Sequence, residues 1–408
     1  MGRTLRVAGV PLSVVLCGAL MLLGSAAGPL PSKIRFATFN ASLFRDVAGR
    51  LADDLRSGDE QARVIAEIVQ RVRPDVLLVN EFDYDPTGVA TEVFRNRYLA
   101  VGQNGAAAIH YPYVYVAPVN TGVPTGYDLN NNGASDDLGD LMGYGLFEGQ
   151  YGMVLYSVYP IEFGAVRTFR DFLWKDMPGA LLPTDPATGA DWFEPEELDV
   201  LPLPSKSHWD IPIRVGWAII HVLASHPTPP TFDGAEDLNG TRNHDEIRFW
   251  ADYIDPNVSA YIYDDAGASG GLPSDAHFVI MGDLNADPHD GDSTNHAARQ
   301  LVDHPLVNAV AATTGPPWSY GGDEQAHLQG GANATHLGDP RYDTADWGET
   351  SCGNLRVDYV LPSSTLFVLD AGVFWPLASD PLFSLVGVYP FPSSDHRLVW
   401  VDIAAPPD

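Results

Sequence analysis

The chain has 408 residues, 45% of them hydrophobic and 11% aromatic, which is ample material for a packed core and excludes wholesale disorder. Its 23 Lys and Arg stand against 53 Asp and Glu, a net charge of −30, and its only lysines are Lys33, Lys175 and Lys206. That balance argues against a protein that holds duplex DNA chiefly by neutralising phosphates or that adheres to anionic membranes; it does not exclude a metal-dependent enzyme that gathers carboxylates in its site.

At the N-terminus Arg3 and Arg6 precede a charge-free apolar run, and Ser25-Ala26-Ala27 has the small-x-small pattern of a secretory cleavage site. Residues 1–27 therefore read as a signal peptide and the mature chain as secreted. Pro11 and the small-residue exit count against an uncleaved anchor. Cleavage takes the charge to −32 and removes Cys17, so Cys352 stands alone and no internal disulfide is expected. No later segment is long and apolar enough to span a membrane.

Ile34–Asn40 alternates as a half-buried strand does, and 59–72 follows as a helix with Ile65, Ile68, Val69 and Val72 on one face and Arg63, Glu67 and Arg71 on the other, ended by Pro74. Residues 75–81 form a continuously apolar strand, which implies cover on both faces. Strands are also expected at 152–157, 216–224, 277–282 and 396–403, with helices near 243–254 and 294–303. Long loops at 102–148, 170–210 and 311–354 are the natural place for substrate selection. With no repeat and no dividing linker, residues 33–404 read as one catalytic domain of an α/β sandwich in which helices cover packed sheets.

Several strands deliver a polar word at or near an end: Phe39-Asn40, Asn80-Glu81, Ser225-His226-Pro227, Gly282-Asp283-Leu284-Asn285, Arg356-Val357-Asp358-Tyr359 and Ser394-Asp395-His396. Each alone is weak, because a strand-end Asp or His is usually a turn or surface group. In this order the chain resembles the endonuclease/exonuclease/phosphatase family from Ile34 to about Ile403. The resemblance implies a four-layer α/β/β/α sandwich, the deoxyribonuclease I-like fold. It also implies roles: Glu81 as principal metal ligand with Asn40 and Asp395 at the metal side, and Asp283 as the base that prepares the attacking water. Asn285 would orient water or phosphate, His396 would bind the phosphoryl group with Asp358 fixing its tautomer, and His226 would be a candidate general acid. In place of the glutamate that often supports this last histidine, Gln150 is expected.

Charge arithmetic agrees independently. Gathered carboxylates at 81, 283, 358 and 395 would repel by about 4 kcal/mol per pair at 4 Å and an effective dielectric of about 20, so a cation belongs among them. Hard oxygen ligands favour Mg²⁺ or Mn²⁺, and no zinc-type ligand spacing appears. Asp128, Asn130 and Asn132, followed by Gly133, open like a calcium loop without its twelfth-position Glu, so Ca²⁺ and an ordinary turn compete there. Lys175 and His208 could reach phosphate, although a self-packed loop is favoured. Arg242 and Asn243, at an expected helix start, could touch substrate, although N-capping by Asn243 is the blander reading.

The leading expectation is a secreted, monomeric, metal-dependent phosphoester hydrolase. A phosphodiester is favoured over a monoester, and a small or flexible substrate over nucleic acid. An extracellular nuclease is the alternative. A calcineurin-like phosphatase lacks its Asp-x-His and Gly-Asn-His triplets, and the non-enzyme reading is a lapsed, calcium-stabilised binding protein on the same scaffold.

Overall fold

In the computed structural model, which describes residues 32–406, the strands are β1 (Lys33–Leu43), β2 (Val76–Phe82), β3 (Tyr113–Tyr115), β4 (Met153–Ser157), β5 (Arg167–Thr168), β6 (His208–Val215), β7 (Ala218–Ser225), β8 (His277–Asp283), β9 (Ala345–Asp346), β10 (Asn354–Leu355), β11 (Asp358–Pro362), β12 (Val368–Val373) and β13 (Val399–Ala404). The helices are α1 (Arg50–Ser57), α2 (Glu60–Val72), α3 (Val89–Val93), α4 (Pro195–Leu198), α5 (Leu238–Ile254), α6 (Arg299–Val302) and α7 (Tyr320–Gln329). The expected signal peptide and Cys17 lie outside the described residues. Among the described residues no helix is long and apolar enough to cross a membrane.

Two sheets carry the architecture, one ordered β12-β13-β1-β2-β4-β3 and the other β11-β8-β7-β6-β5. The period-two geometry of the second sheet separates two cores. Val222, Ala224, Val279, Met281 and Val360 point to the first sheet and share its core with Ile65, Ile68 and Val69 of α2. The alternate residues Leu223, Phe278, Ile280, Tyr359 and Leu361 pack instead with Ile247, Phe249 and Trp250 of α5. Helix, sheet, sheet and helix therefore stack as the expected four layers.

Four local readings change. Glu67 of α2 is buried rather than on a solvated face, because Arg71 and the Asn104 amide satisfy it. The 294–303 helix is broken, with Asn295 in the left-handed region (φ 52°) and only Arg299–Val302 α-helical. The strand expected from His396 starts at Val399, because His396 bridges to Ala345 and the Arg397 N–H donates to Thr344. The loop read as 311–354 contains α7, where a Cβ on Gly321 would lie 2.1 Å from the Trp375 carbonyl oxygen; packing, not propensity, demands that glycine.

The ends of the first sheet are fastened by charge. Asp402 on β13 accepts from Arg35 Nε (2.6 Å) and Nη2 (2.7 Å) and from Lys33 Nζ (2.6 Å), all on β1. Burial opposes the Asp402 charge, but Arg35 and Lys33 outweigh it and hold the carboxyl below its ordinary value. Its contribution is therefore present above the unfolded pKa and is lost as pH falls through the folded one. Asp402→Ala is expected to cost about 2 kcal/mol at pH 7, less than a fully buried pair because Lys33 is half exposed. Urea titrations at pH 7 and pH 3 check this, since the difference between the two proteins should shrink at the lower pH.

Candidate active site

Parallel neighbours end on the same side of a sheet, and this brings the polar words together. β1 and β2 are parallel, with Asn40 opposite Asn80 in register, and β7 and β8 are parallel in the second sheet. β11 runs antiparallel to β8 and starts where β8 ends, so Asp358 is the register partner of Asp283. His396 arrives on the segment leading into β13, the antiparallel neighbour of β1. Gly282 is required where β8 crosses β7: its φ is +149°, and a Cβ there would stand 2.0 Å from the Ser225 carbonyl oxygen. Glu81 and Asn285 are both held at positive φ (55° and 53°), conformations costly for residues with a side chain and kept where the surroundings over-determine them.

Asp283 is the centre of the cluster. Its Oδ2 accepts from Asn40 Nδ2 at 2.9 Å and lies 3.5 Å from His226 Nε2 and 3.7 Å from His396 Nε2, while its Oδ1 accepts the Asn285 N–H at 2.8 Å. His396 Nδ1 is 2.8 Å from Asp358 Oδ2, which also accepts from Thr344 Oγ1 at 2.8 Å. Asp395 accepts from Ser42 Oγ at 3.1 Å and from Trp347 Nε1 at 3.2 Å, and the Trp347 ring meets His396 edge-on. Ser394 Oγ donates to the Asn40 carbonyl and accepts the His396 N–H, tying the two motif segments together.

The two histidines are driven apart electrostatically. Burial works against a charge on His396, but Asp358, Asp283 and Asp395 outweigh it and raise its pKa well above the ordinary value, which favours the imidazolium. His226 is lowered well below by burial and by the charges of Lys206 and His396; it is neutral, and its Nδ1 has no partner. Gln150 does not support it. The Gln150 amide accepts from Leu146 N and donates to the Arg45 carbonyl, both at 2.7 Å, so the expected substitution of an amide for a supporting glutamate does not describe this site.

The donor set suits a divalent cation. Burial and the neighbouring Asp395 push the Glu81 carboxyl up to about 7, and burial pushes Asp358 up to about 6, the signature of negative charge crowded out of water. The buried Asp358 Oδ1 is left without a hydrogen-bond donor. Asp283, Asp358 and His396 bring possible ligand atoms within 4.8 Å of one another, and the carboxylate oxygens are the ones open to a hard cation while His396 keeps its protons.

The outlying candidates have other work. Arg242 is buried and donates to the carbonyls of Leu203, Met142 and Pro202. Asn243 does not cap a helix, since α5 begins five residues earlier at Leu238; its amide donates to the carbonyls of Thr228 and Leu284. His208 lies on β6 with Nε2 2.8 Å from the Glu246 carbonyl, its ring against Phe249 and Trp250, and burial pulls it down to about 4. Lys175 pairs with Asp199 at 2.5 Å. In the 128–140 loop, Asp128 accepts the Asn132 and Gly133 N–H groups, Asn130 donates to Asp137, and Asp140 accepts the Leu129 N–H. Thr344, Ser42 and Trp347 are supporting residues that carry no recognisable word in the sequence, while Ser394 belongs to the Ser394-Asp395-His396 word. Lys206 also went unread as a site residue, and it is buried here, its Nζ 3.3 Å from the Pro227 carbonyl.

Among solved structures, an endonuclease/exonuclease/phosphatase from Beutenbergia cavernae DSM 12333 is 17% identical, with 92% of this chain and 72% of that chain covered and a TM-score of 0.47. Sphingomyelinase C from Streptomyces griseocarneus is 16% identical (91% and 99% covered, TM-score 0.43), and an AP endonuclease from Archaeoglobus fulgidus is 12% identical (90% and 98%, TM-score 0.42). No curated protein matches the chain. The model of the Endonuclease/Exonuclease/phosphatase family matches residues 37–396, the span that contains every strand-end word of the cluster. The chain thus belongs to the endonuclease/exonuclease/phosphatase family, whose members are divalent-metal-dependent phosphoester hydrolases.

Proposed function

We propose that this protein is a secreted phosphodiesterase that hydrolyses a small or flexible phosphodiester with Mg²⁺ or Mn²⁺. The observation that carries the reading is the convergence on Asp283 Oδ2 of two imidazole Nε2 atoms, one belonging to a histidine backed by Asp358. Asp283 accepts a proton from water as the water oxygen bonds to phosphorus. Asn285 donates to the Pro227 carbonyl at 3.1 Å and keeps its side-chain oxygen for that water. The His396 imidazolium holds its Nδ1 proton toward Asp358 and offers its Nε2 proton to a non-bridging phosphoryl oxygen, a charge-assisted hydrogen bond. His226, held neutral, is a hydrogen-bonding partner of the phosphoryl group in place of the general acid expected from sequence, and the departing alkoxide takes its proton from water. Glu81, Asn40 and Asp395 would hold a divalent cation, which neutralises phosphoryl charge when bound.

Thirteen arginines and two of the three lysines are engaged in ion pairs with carboxylates, which supports a substrate met at few phosphates. Export rests on the charge and cleavage pattern of residues 1–27. The test is kcat/KM for a short diester, a monoester, phospholipid vesicles and duplex DNA, each in Mg²⁺ at two ionic strengths. A diester should be cut fastest, with a shallow salt dependence. DNA cleaved faster than the diester at low salt and falling steeply with salt would show several phosphate contacts, each adding a slope of about −0.9, and would overturn the small-substrate reading.

A further inference from the structure

Lys206 is 6% exposed, yet its ammonium makes a single contact within hydrogen-bond distance, to the Pro227 carbonyl at 3.3 Å, and among the described residues no carboxylate lies within 4.0 Å of it. Every other described lysine has such a partner. Burying a charge without one is costly, and the bland explanation would be a counter-charge to the buried Glu246. Glu246, however, is satisfied by other groups: it accepts from Ser205 N (2.6 Å), Ser205 Oγ and Thr228 N (2.7 Å), and it also feels Arg242. Glu246 thus has Arg242 and three hydrogen-bond donors besides Lys206, and the Lys206 ammonium itself lies beside the catalytic words. Pro227 directly follows His226, and its carbonyl oxygen receives the Asn285 amide as well as Lys206, so the ammonium stands one shared acceptor away from Asn285. Burial pulls the Lys206 pKa down, and the carboxylates that oppose this are Glu246 first and then Glu81 and Asp283.

We propose that Lys206 is a catalytic residue whose ammonium donates to a non-bridging oxygen of the scissile phosphoryl group. The phosphate is then met near the Pro227 carbonyl that Lys206 shares with Asn285, where the remaining N–H groups of Lys206 donate to charge that grows during the reaction. Burial lowers the His226 pKa first, and the charges of Lys206 and His396 add to it. The inference rests on the phosphoesterase reading but reaches further, because it assigns a phosphate ligand outside the words that carry the family resemblance.

The test compares wild type with Lys206→Met and Lys206→Arg by kcat and KM on the diester, by thermal midpoint, and by calorimetric titration of inorganic phosphate in Mg²⁺. Lys206→Met is expected to lower kcat by about 10²–10³-fold, the scale of losing one preorganised donor, and to weaken phosphate binding about tenfold or more. Its midpoint should stay level or rise, because a thioether chain replaces a lone buried charge. Lys206→Arg should recover part of kcat. A Lys206→Met enzyme with kcat within threefold of wild type, or with phosphate affinity unchanged, overturns the proposal. So does a midpoint lowered in step with activity, which is the behaviour of a structural partner to Glu246. The phosphate arm separates this from the functional reading: a wild type that binds phosphate through Lys206 but cleaves none of the substrates fails that reading while leaving the anion site standing, and a wild type that binds no phosphate overturns the site.

Discussion

Asp283→Asn is expected to slow turnover of the preferred phosphoester by about 10²–10⁴-fold, the contribution of a positioned general base. The substitution keeps the shape of the side chain but not its acceptors. Asn40 Nδ2 and the Asn285 N–H each donate to a different Asp283 oxygen, and an amide can accept at only one of those places. The variant therefore carries one opposed donor, worth about 1–3 kcal/mol of stability. Asp283→Ala, which removes the opposed donor, should lose as much activity, so the loss is assigned to the missing base rather than to the clash. His396→Ala should fall in the same range by removing the imidazolium, and the double variant should lose less than the sum, because both groups act on one phosphoryl transfer. Steady-state rates alongside circular dichroism check this; a loss below tenfold in a folded Asp283 variant would place the base elsewhere.

Rigorous chelation should abolish activity, and Mg²⁺ or Mn²⁺ should restore it. Glu81, Asp283, Asp358 and Asp395 share a site in which Asp283 and Asp358 are buried and Glu81 and Asp395 half-buried, and a phosphate brings further negative charge into it. The His396 imidazolium and the Lys206 ammonium compensate only part of that charge. Because a cation that binds the native state stabilises it, saturating Mg²⁺ should also raise the thermal midpoint, by about 2.7 kcal/mol at a hundredfold excess over Kd. Glu81→Gln should diminish that shift as well as activity. Full activity after chelation, with residual metal measured, would overturn the mechanism.

How much could be read in advance differs between elements for physical reasons. The Val76–Phe82 strand was legible because a strand covered on both faces is a continuous apolar run. The β6 strand was not, since Pro212 interrupts it; the fold tolerates that proline because its carbonyl still accepts the Glu162 N–H at the outer edge, where beyond the two-residue β5 only the isolated Ile161–Ile213 bridge pairs with β6. The start of α5 was missed through Gly240, whose apparent weakness is a packing demand: a Cβ there would stand 2.0 Å from Asp237 Oδ1 and 2.5 Å from Thr294 Oγ1. Glu67 was misplaced because amphipathic periodicity reports which face a residue lies on, not whether Arg71 and Asn104 fold over it.

The sequence by itself determined the identity and order of the charged words at the strand ends, and with them the family, the layered α/β fold and the need for a cation. Those properties follow from local patterns and from the sum of charges, which do not depend on knowing which segments touch. Only the tertiary structure decided that the His396 pKa is raised and the His226 pKa lowered, that Gln150 serves the Arg45 carbonyl, and that Lys206 is buried beside Asn285 through the Pro227 carbonyl. Each of these is set by burial and by partners far away in the chain, such as Asp358 for His396 and Arg45 for Gln150, and such pairings arise only when the two sheets close on each other.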